Sequence, residues 1–290
     1  MPGSSGYTQK LINAGKIKSH GYELMLTGTP VKTKDWNWDI SLNWGLNRTR
    51  CESLDREISR FTLGEIRSGS VVVESGGKYG DIIGKAYKRD DQGRIVVDDN
   101  GLPQSVSDQV IGNMLPNWTG SIGNTLRYKD FMLSALVDVR QGGDFISNTD
   151  NYACQQGTAA RTLYGRENGQ QIVVDGVTES GQQNTKGVSA ENYWTKVAGP
   201  DGIMEEFIYK GSYVKMRELS LGYILPQAWF RNTPIKYVKV SLVGRDLFYF
   251  YKAAPVNPEG AFSRNDYAQA FELASMPPTR SYGISLNVKF

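Results

Sequence analysis

The chain has 290 residues, with 33 Lys plus Arg against 30 Asp plus Glu and a formal charge of +3; that near-balance excludes the basic footprint of a nucleic-acid binder. Apolar residues make up 39%, mean hydropathy is −0.43, and no apolar run approaches the roughly 18 residues of a transmembrane helix, so a helical membrane protein is excluded. A membrane β-barrel is not excluded, because its polar lumen-facing residues dilute the average.

The first 20 residues lack the apolar core of a secretory signal, roughly 7–15 residues long. Taken literally this describes a cytoplasmic protein, but the pattern downstream describes a piece whose targeting segment lies elsewhere. Residues 19–28 place Tyr22, Leu24 and Leu26 on one face. Residues 35–49 give the clearest signal. Trp36, Trp38, Ile40, Leu42, Trp44 and Leu46 alternate with Asn37, Asp39, Ser41, Asn43, Gly45 and Asn47. This strict period of two predicts a strand with one apolar face. It is longer than the usual soluble strand of about 5–6 residues and long enough for the roughly 9–11 residues of a tilted bilayer-crossing strand.

Further strands are predicted at 118–128, with Asn124 out of pattern, and at 131–140, with Met132 and Leu136 on the wrong face. Lys129 and Asp130 join these two as a two-residue hairpin connection. Residues 213–224 align Leu219, Leu221 and Tyr223; residues 235–250 align Val238, Val240 and Leu242, then Phe248 and Phe250. The chain ends in phase, with Tyr282, Ile284, Leu286, Val288 and Phe290 sharing a face. A soluble domain seldom ends on a large apolar residue, since termini fray into water.

Seven long strands are thus expected. Their connections alternate short (29–34, 129–130, 225–234) and long (51–117, 141–207, 251–279). Outer-membrane barrels have this asymmetry, with short periplasmic turns and long extracellular loops. If Phe290 ends at the periplasmic face, every short turn falls inside and every long loop outside. Trp36, Trp38, Trp44, Tyr128 and Tyr223 are then the expected lipid-facing aromatic girdle, with Trp229 and Phe290 near the same end. Within the first long loop, residues 82–97 are expected to form their own hairpin around Asp90-Asp91-Gln92-Gly93. The second long loop shows little periodicity.

Candidate chemistry is sparse. Cys51 and Cys154 are far apart with no CxxC, and either form one disulfide or remain two thiols. His20 is the only histidine, so a His-based zinc site or a Ser-His-Asp triad has too few parts; it reads as a rim residue. Asp90, Asp91, Asp98, Asp99 and Asn100 lack the alternating carboxylates of a calcium loop and read as two polar turns. Glu205, Glu206, Glu259 and Asp266 have no fixed separation, which a glycoside-hydrolysing pair requires. Arg127, Arg140 and Arg245 fall on the polar strand face and Arg48 at an outer rim, as in a hydrated interior. No catalytic, cofactor or metal residue is assigned.

Five stretches in chain order carry a resemblance. GYELMLTGTPVKTKDWNWDISLNW, VIGNMLPNWTGSIGNTLRYKDFMLSALVDVRQGGDFIS, GSYVKMRELSLGYILP, VSLVGRDLFYF and PPTRSYGISLNVKF resemble the C-terminal barrel strands of the SusC/RagA family of TonB-linked outer-membrane proteins. Asp246, in GRD, departs from the commoner GRN. The resemblance implies an all-β fold: an antiparallel transmembrane β-barrel segment over residues 1–290, located in the cell outer membrane. It implies import of bulky nutrients, glycans or peptides, energised through TonB, with a SusD-like lipoprotein on the extracellular loops. It also implies parts not present here: signal peptide, accessory domain, TonB box and plug. Seven strands are too few and odd for a single-chain barrel, so the expectation is a fragment with Met1 internal. The terminal face from Tyr282 to Phe290 is the expected assembly end.

Two other readings compete. A secreted β-sandwich module for carbohydrate also has alternating strands; it needs aromatic loop residues such as Tyr152 and Trp194 to stack sugars. A small autonomous barrel or adhesin needs an eighth strand, which residues 7–17 supply poorly.

Overall fold

A computed structural model describes residues 15–55, 58–67, 69–167, 169–263 and 265–290. Residues 7–14 of the weak eighth strand lie outside them, and Gly15 to Ile17 belong to the first strand. Seven long strands run in chain order: β1 (Gly15–Lys32), β2 (Trp36–Leu54), β3 (Pro116–Tyr128), β4 (Phe131–Gly142), β5 (Tyr213–Ile224), β6 (Tyr237–Lys252) and β7 (Ser281–Lys289). They form one sheet in the order β1 to β7, and every pair from β2 onward is antiparallel. Among the described residues, β1 and β7 each have a single neighbour in the sheet. The connections are short at 33–35, 129–130 and 225–236 and long at 55–115, 143–212 and 253–280.

The register explains the two-faced pattern. One row across the sheet is Trp36, Tyr128, Phe131, Tyr223, Val240 and Leu286; the next is Trp38, Leu126, Leu133, Leu221, Leu242 and Ile284. Because side chains alternate with period two, the whole apolar set lies on one face. Cross-strand ring pairs fasten the end near the short turns. Trp36 and Tyr128 have centroids 4.4 Å apart, and Phe131 and Tyr223 4.8 Å; such pairs are each worth about 0.5–1.5 kcal/mol beyond area burial. Asn124, the exception to the pattern, sits on this face and accepts the Trp38 indole N–H at 3.3 Å. Met132 and Leu136 lie on the opposite face, in register with Gly222 and Glu218.

The turns are local chemistry. The Thr33 N–H donates to the Trp36 carbonyl at 2.7 Å, and the Thr33 hydroxyl accepts the Trp36 N–H at 3.0 Å. Lys129 takes φ +52° to reverse the chain between β3 and β4. In β5 a bulge inserts Arg217, so that Met216 opposes Val137 while Glu218 opposes Leu136. The apolar series therefore shifts from Val214 and Met216 to Leu219, Leu221 and Tyr223. A bulge adds one unpaired residue and re-aims its neighbours.

By compactness the chain forms two units: 1–20, 48–114 and 152–206, and 21–47, 115–151 and 207–290. The first holds a conventional apolar core. Strands Arg60–Ile66, Gly69–Glu74, Asp81–Tyr87 and Ser105–Asn113 form a four-stranded sheet, burying Val71, Val72, Val73, Ile82 and Ile83. The expected hairpin over 82–97 is thus only half made. Its turn closes, with the Asp90 N–H donating to the Arg94 carbonyl at 3.0 Å. Beside the turn the Val96 N–H also donates to the Lys88 carbonyl at 2.8 Å, but the rest of the first arm pairs with Ser105–Asn113, and Ile95–Val96 pairs in parallel with Gly176–Val177 as well.

The second long loop contains helices that its composition hid: α1 (Asn148–Gln155) and α2 (Ala190–Ala198). The Ser189 hydroxyl caps α2 by accepting the Asn192 N–H at 3.2 Å, which satisfies an otherwise orphaned donor. In the second unit, Asp144–Ser147 pairs antiparallel with Ile208–Lys210 and parallel with Phe271–Glu272.

Candidate functional site

The polar face of the long sheet carries the densest chemistry. Its middle presents Asp39, Ser41, Thr125, Ser134, Ser220, Glu218 and Arg245 in register. A recess of about 460 Å³ lies there, lined by residues including Thr29, Asp39, Ser41, Thr125 and Glu218. Arg245 Nε donates to Glu218 at 2.8 Å, and Arg127 Nε donates to the Lys129 carbonyl at 2.8 Å. Arg140 is opposite Tyr213, with its Nε 3.4 Å from the Gly142 carbonyl. These three arginines lie on the expected polar face. Arg48 and His20 are exposed on β2 and β1.

Toward the long-loop ends of β4, β5 and β6 the face closes into an ion-pair network. Lys215, only 3% exposed, meets Asp246 at 2.7 Å and Glu259 at 2.6 Å. Arg217 meets Asp138 at 2.5 Å, Asp246 at 2.9 Å and Glu259 at 2.5 Å. The Tyr213 hydroxyl donates to Asp138 and Glu259, each at 3.2 Å, and the Tyr249 hydroxyl donates to Glu259 at 3.0 Å.

The bulge builds this cluster, because it brings Arg217 to the polar face beside Lys215. Opposite it, Asp246 adopts φ +53°, a left-handed conformation that Asp and Asn tolerate better than most residues. GRD and GRN are therefore conformationally equivalent, and Asp adds a carboxylate for both cations. Glu259 comes from the 253–280 connection. Burial alone would raise its pKa, but hydrogen bonds from Arg217 and Lys215 prevail and hold it at about 2. Charge-assisted bonds of this length are the strong class. Sequence reading found Glu259 and Asp246 singly and missed the cluster; the available signal was the phase break in apolar alternation at Arg217.

The other candidates are spoken for locally. Asp90 Oδ1 accepts the N–H groups of Gln92 and Arg94, and Asp98 Oδ1 those of Asn100 and Leu102. Gly93 and Gly101, at φ +81° each, close these turns. Glu205 pairs with Arg89 and accepts the Tyr87 N–H, both at 2.8 Å. Glu206 accepts the Tyr87 hydroxyl and pairs with Arg161, both at 2.8 Å. Burial, with the Glu206 charge beside it, pushes the Tyr87 hydroxyl pKa upward.

Glu205 and Glu206 belong to the first unit and Glu259 to the second; the Asp266 side chain lies outside the described residues. Among the described residues no group of three or more His, Cys, Asp or Glu is placed to hold a metal ion. Cys51 and Cys154 are both buried and are not joined by a disulfide, so the two-thiol alternative holds. Trp194 is 8% exposed and lies under the Arg161 guanidinium at 4.9 Å. It is a buried packing residue of α2. Tyr152 is exposed, but the Arg67 guanidinium covers its ring at 3.8 Å.

The expected girdle residues Trp36, Trp38, Trp44, Tyr128 and Tyr223 share the apolar face of β2, β3 and β5. Tyr282, Ile284, Leu286 and Val288 lie on the same face in β7, opposite β6. Phe290, one residue beyond β7, is exposed. Among the described residues most of that face is open: Leu221 is 51% exposed, Leu242 61% and Ile284 76%.

No family model matches the chain. Over its full length it is 24% identical, across 324 aligned residues, to TonB-dependent receptor P3 of Formosa agariphila. It is 22% identical, across 335, to TonB-dependent receptor P26 of the same organism. The chain spans about 30% of the length of these relatives. Among solved structures, 99% of it superposes on 31% of a chain in the RagAB peptide transporter, with TM-score 0.63 and 19% identity. All of it superposes on 30% of a chain in the RagAB peptide importer in the open-open state, with TM-score 0.65 and 20% identity. Over its whole length the chain thus resembles TonB-dependent receptors, and its seven-stranded antiparallel sheet has the all-β fold of the matched part of the RagAB chain.

Proposed function

We propose that the chain forms part of the wall of an outer-membrane, TonB-dependent transporter that imports bulky nutrients, glycans or peptides. The observation that carries this reading is the sheet's two-sidedness. Its apolar face runs across β2 to β7 and is mostly open among the described residues, while its polar face carries charges, hydroxyls and a recess. A β-sandwich buries its inner apolar face against a second sheet; an apolar face of this extent left open suits lipid. The alternation of short and long connections, with the extra strands and α-helices in the long ones, supports the same orientation.

In this reading residues 1–290 are the C-terminal part of the receptor barrel, and TonB acts through the preceding part. A SusD-like lipoprotein sits on the extracellular long connections. Trp36, Trp38, Trp44, Tyr128 and Tyr223 face lipid, with the Trp36–Tyr128 end at the periplasmic interface. Tyr282 to Phe290 form the end read during assembly, and β7 pairs with the first strand of the complete barrel, since an open edge in lipid leaves backbone groups unpaired. The chain supplies walls and a rim, and no bond-making step.

The test is made on the full-length receptor: isolate outer membranes, check for a heat-modifiable folded barrel, and measure nutrient uptake with and without the gene. Deleting Phe290 is expected to lower the folded amount in the membrane. A water-soluble product, or normal barrel levels without Phe290, contradicts the corresponding part of the reading.

A further inference from the structure

The 253–280 connection between β6 and β7 is tied down at two separate places within its own unit. At the first, Asn257 Oδ1 accepts the Tyr249 hydroxyl at 3.0 Å and the Glu259 N–H at 3.2 Å. The Glu259 carboxylate then reaches Lys215, Arg217, Tyr213 and Tyr249 on the strand wall. At the second, Glu272 is buried and pairs in register with Ser147. Its two oxygens accept the Ser147 and Thr149 hydroxyls, each at 2.7 Å. The Thr149 hydroxyl oxygen also accepts the Ala274 N–H at 2.6 Å. Between the pins, Ala268, Ala270 and Phe271 are fully buried.

We infer that this connection is a fixed strap, latched onto the polar face by Glu259 and onto the 143–212 connection by Glu272. The charge arrangement separates latch from wall. Without Glu259, Lys215 still meets Asp246, and Arg217 still meets Asp138 and Asp246. The wall then keeps two cations against two carboxylates. Glu259 therefore holds the strap without being needed to neutralise the strands beneath it. A solute moving along the polar face meets an anchored segment there, where a long surface loop of this kind is otherwise expected to be mobile. This goes beyond nutrient import, and the strap geometry does not depend on that reading.

Hydrogen exchange on the full-length receptor in detergent tests it without measuring transport. In Glu259→Gln, amides of residues 255–263 are expected to exchange roughly tenfold faster or more, because a charged latch is lost. Amides of β5 and β6 keep wild-type rates. In Glu272→Gln, the acceleration falls on residues 271–275 instead. Wild-type rates at 255–263 in Glu259→Gln overturn the latch, and acceleration spreading through β5 and β6 overturns the separation of strap from wall.

Discussion

Replacing Arg217 by Met removes its bonds to three carboxylates, yet two of those keep a cation, because Lys215 stays 2.7 Å from Asp246 and 2.6 Å from Glu259. Only Asp138 loses its cationic partner, and it retains the Tyr213 hydroxyl at 3.2 Å. One part-exposed carboxylate left short of a charged donor costs about 2 kcal/mol. Lys215→Met leaves Asp246 and Glu259 on Arg217, at 2.9 and 2.5 Å, and the methionine fills the buried stem. Its cost is about 1 kcal/mol, since an apolar replacement of similar volume offsets most of the lost pair. The double variant is different in kind, because Asp246 and Glu259 lose both of their cations at once while Asp138 loses its one. Breaking buried pairs from one side costs about 3–5 kcal/mol, so the double variant should lose about 5 kcal/mol, exceeding the sum of the singles by roughly 2. Urea titrations of the folded full-length receptor, followed by gel mobility, supply the cycle. Costs that add to within about 0.5 kcal/mol refute the shared-acceptor reasoning.

Glu259 also gives a pH dependence with a definite sign. Its folded pKa, about 2, lies below the ordinary 4.5, so its stabilisation is full above about pH 4.5 and is lost as pH falls toward 2. At about 1.4 kcal/mol per pH unit, and discounted for a quarter-exposed group, this is about 2–3 kcal/mol. Unfolding measured from pH 6 to 2 should show this loss in wild type and a shallower slope in Glu259→Gln; parallel curves contradict it. In the first unit, a Cβ at Gly84 meets Ile111 Cδ1 at 2.7 Å and Met204 Cβ at 3.0 Å. Gly84→Val is expected to destabilise that unit by about 1–3 kcal/mol through overpacking. Limited proteolysis should cut residues 48–114 faster while β3 to β7 persist, and unchanged resistance contradicts the packing described.

The seven strands were legible because period-two alternation is local and one face had to be apolar. From residues 36–47 the face, the length and the pairing partner's pattern can all be read. The ends of β1 and β2 run further than the pattern, to Lys32 and Leu54, because ladder pairing continues where the alternation fades. Arg217 shows what a finer reading yields: the apolar series changes phase there, which is the trace of a bulge, and the bulge places the cluster's central cation.

The long connections were not legible for a physical reason. Ile95–Val96 pairs with Gly176–Val177, and Ile146 with Phe271; two-residue ladders between distant segments leave no periodicity to detect. Helix α2 did leave a signal, with Ser189 as cap and Trp194, Val197 and Ala198 at helical spacing. Trp194 shows the opposite error, since an aromatic residue in a polar loop reads as exposed when it is packing an unrecognised helix.

The claim that the apolar face meets lipid is tested most directly by arginine placed on adjacent residues of one strand. Leu219 lies on the apolar face, in register with Ala135 and Gly244, and Ser220 on the polar face, in register with Ser134 and Val243. In the full-length receptor refolded into bilayers, Leu219→Arg should cost about 2–4 kcal/mol, the penalty for a cation near the midplane. Ser220→Arg should stay within about 0.5 kcal/mol, as for an ordinary hydrated position. Equal and small costs at both positions contradict a lipid-facing sheet.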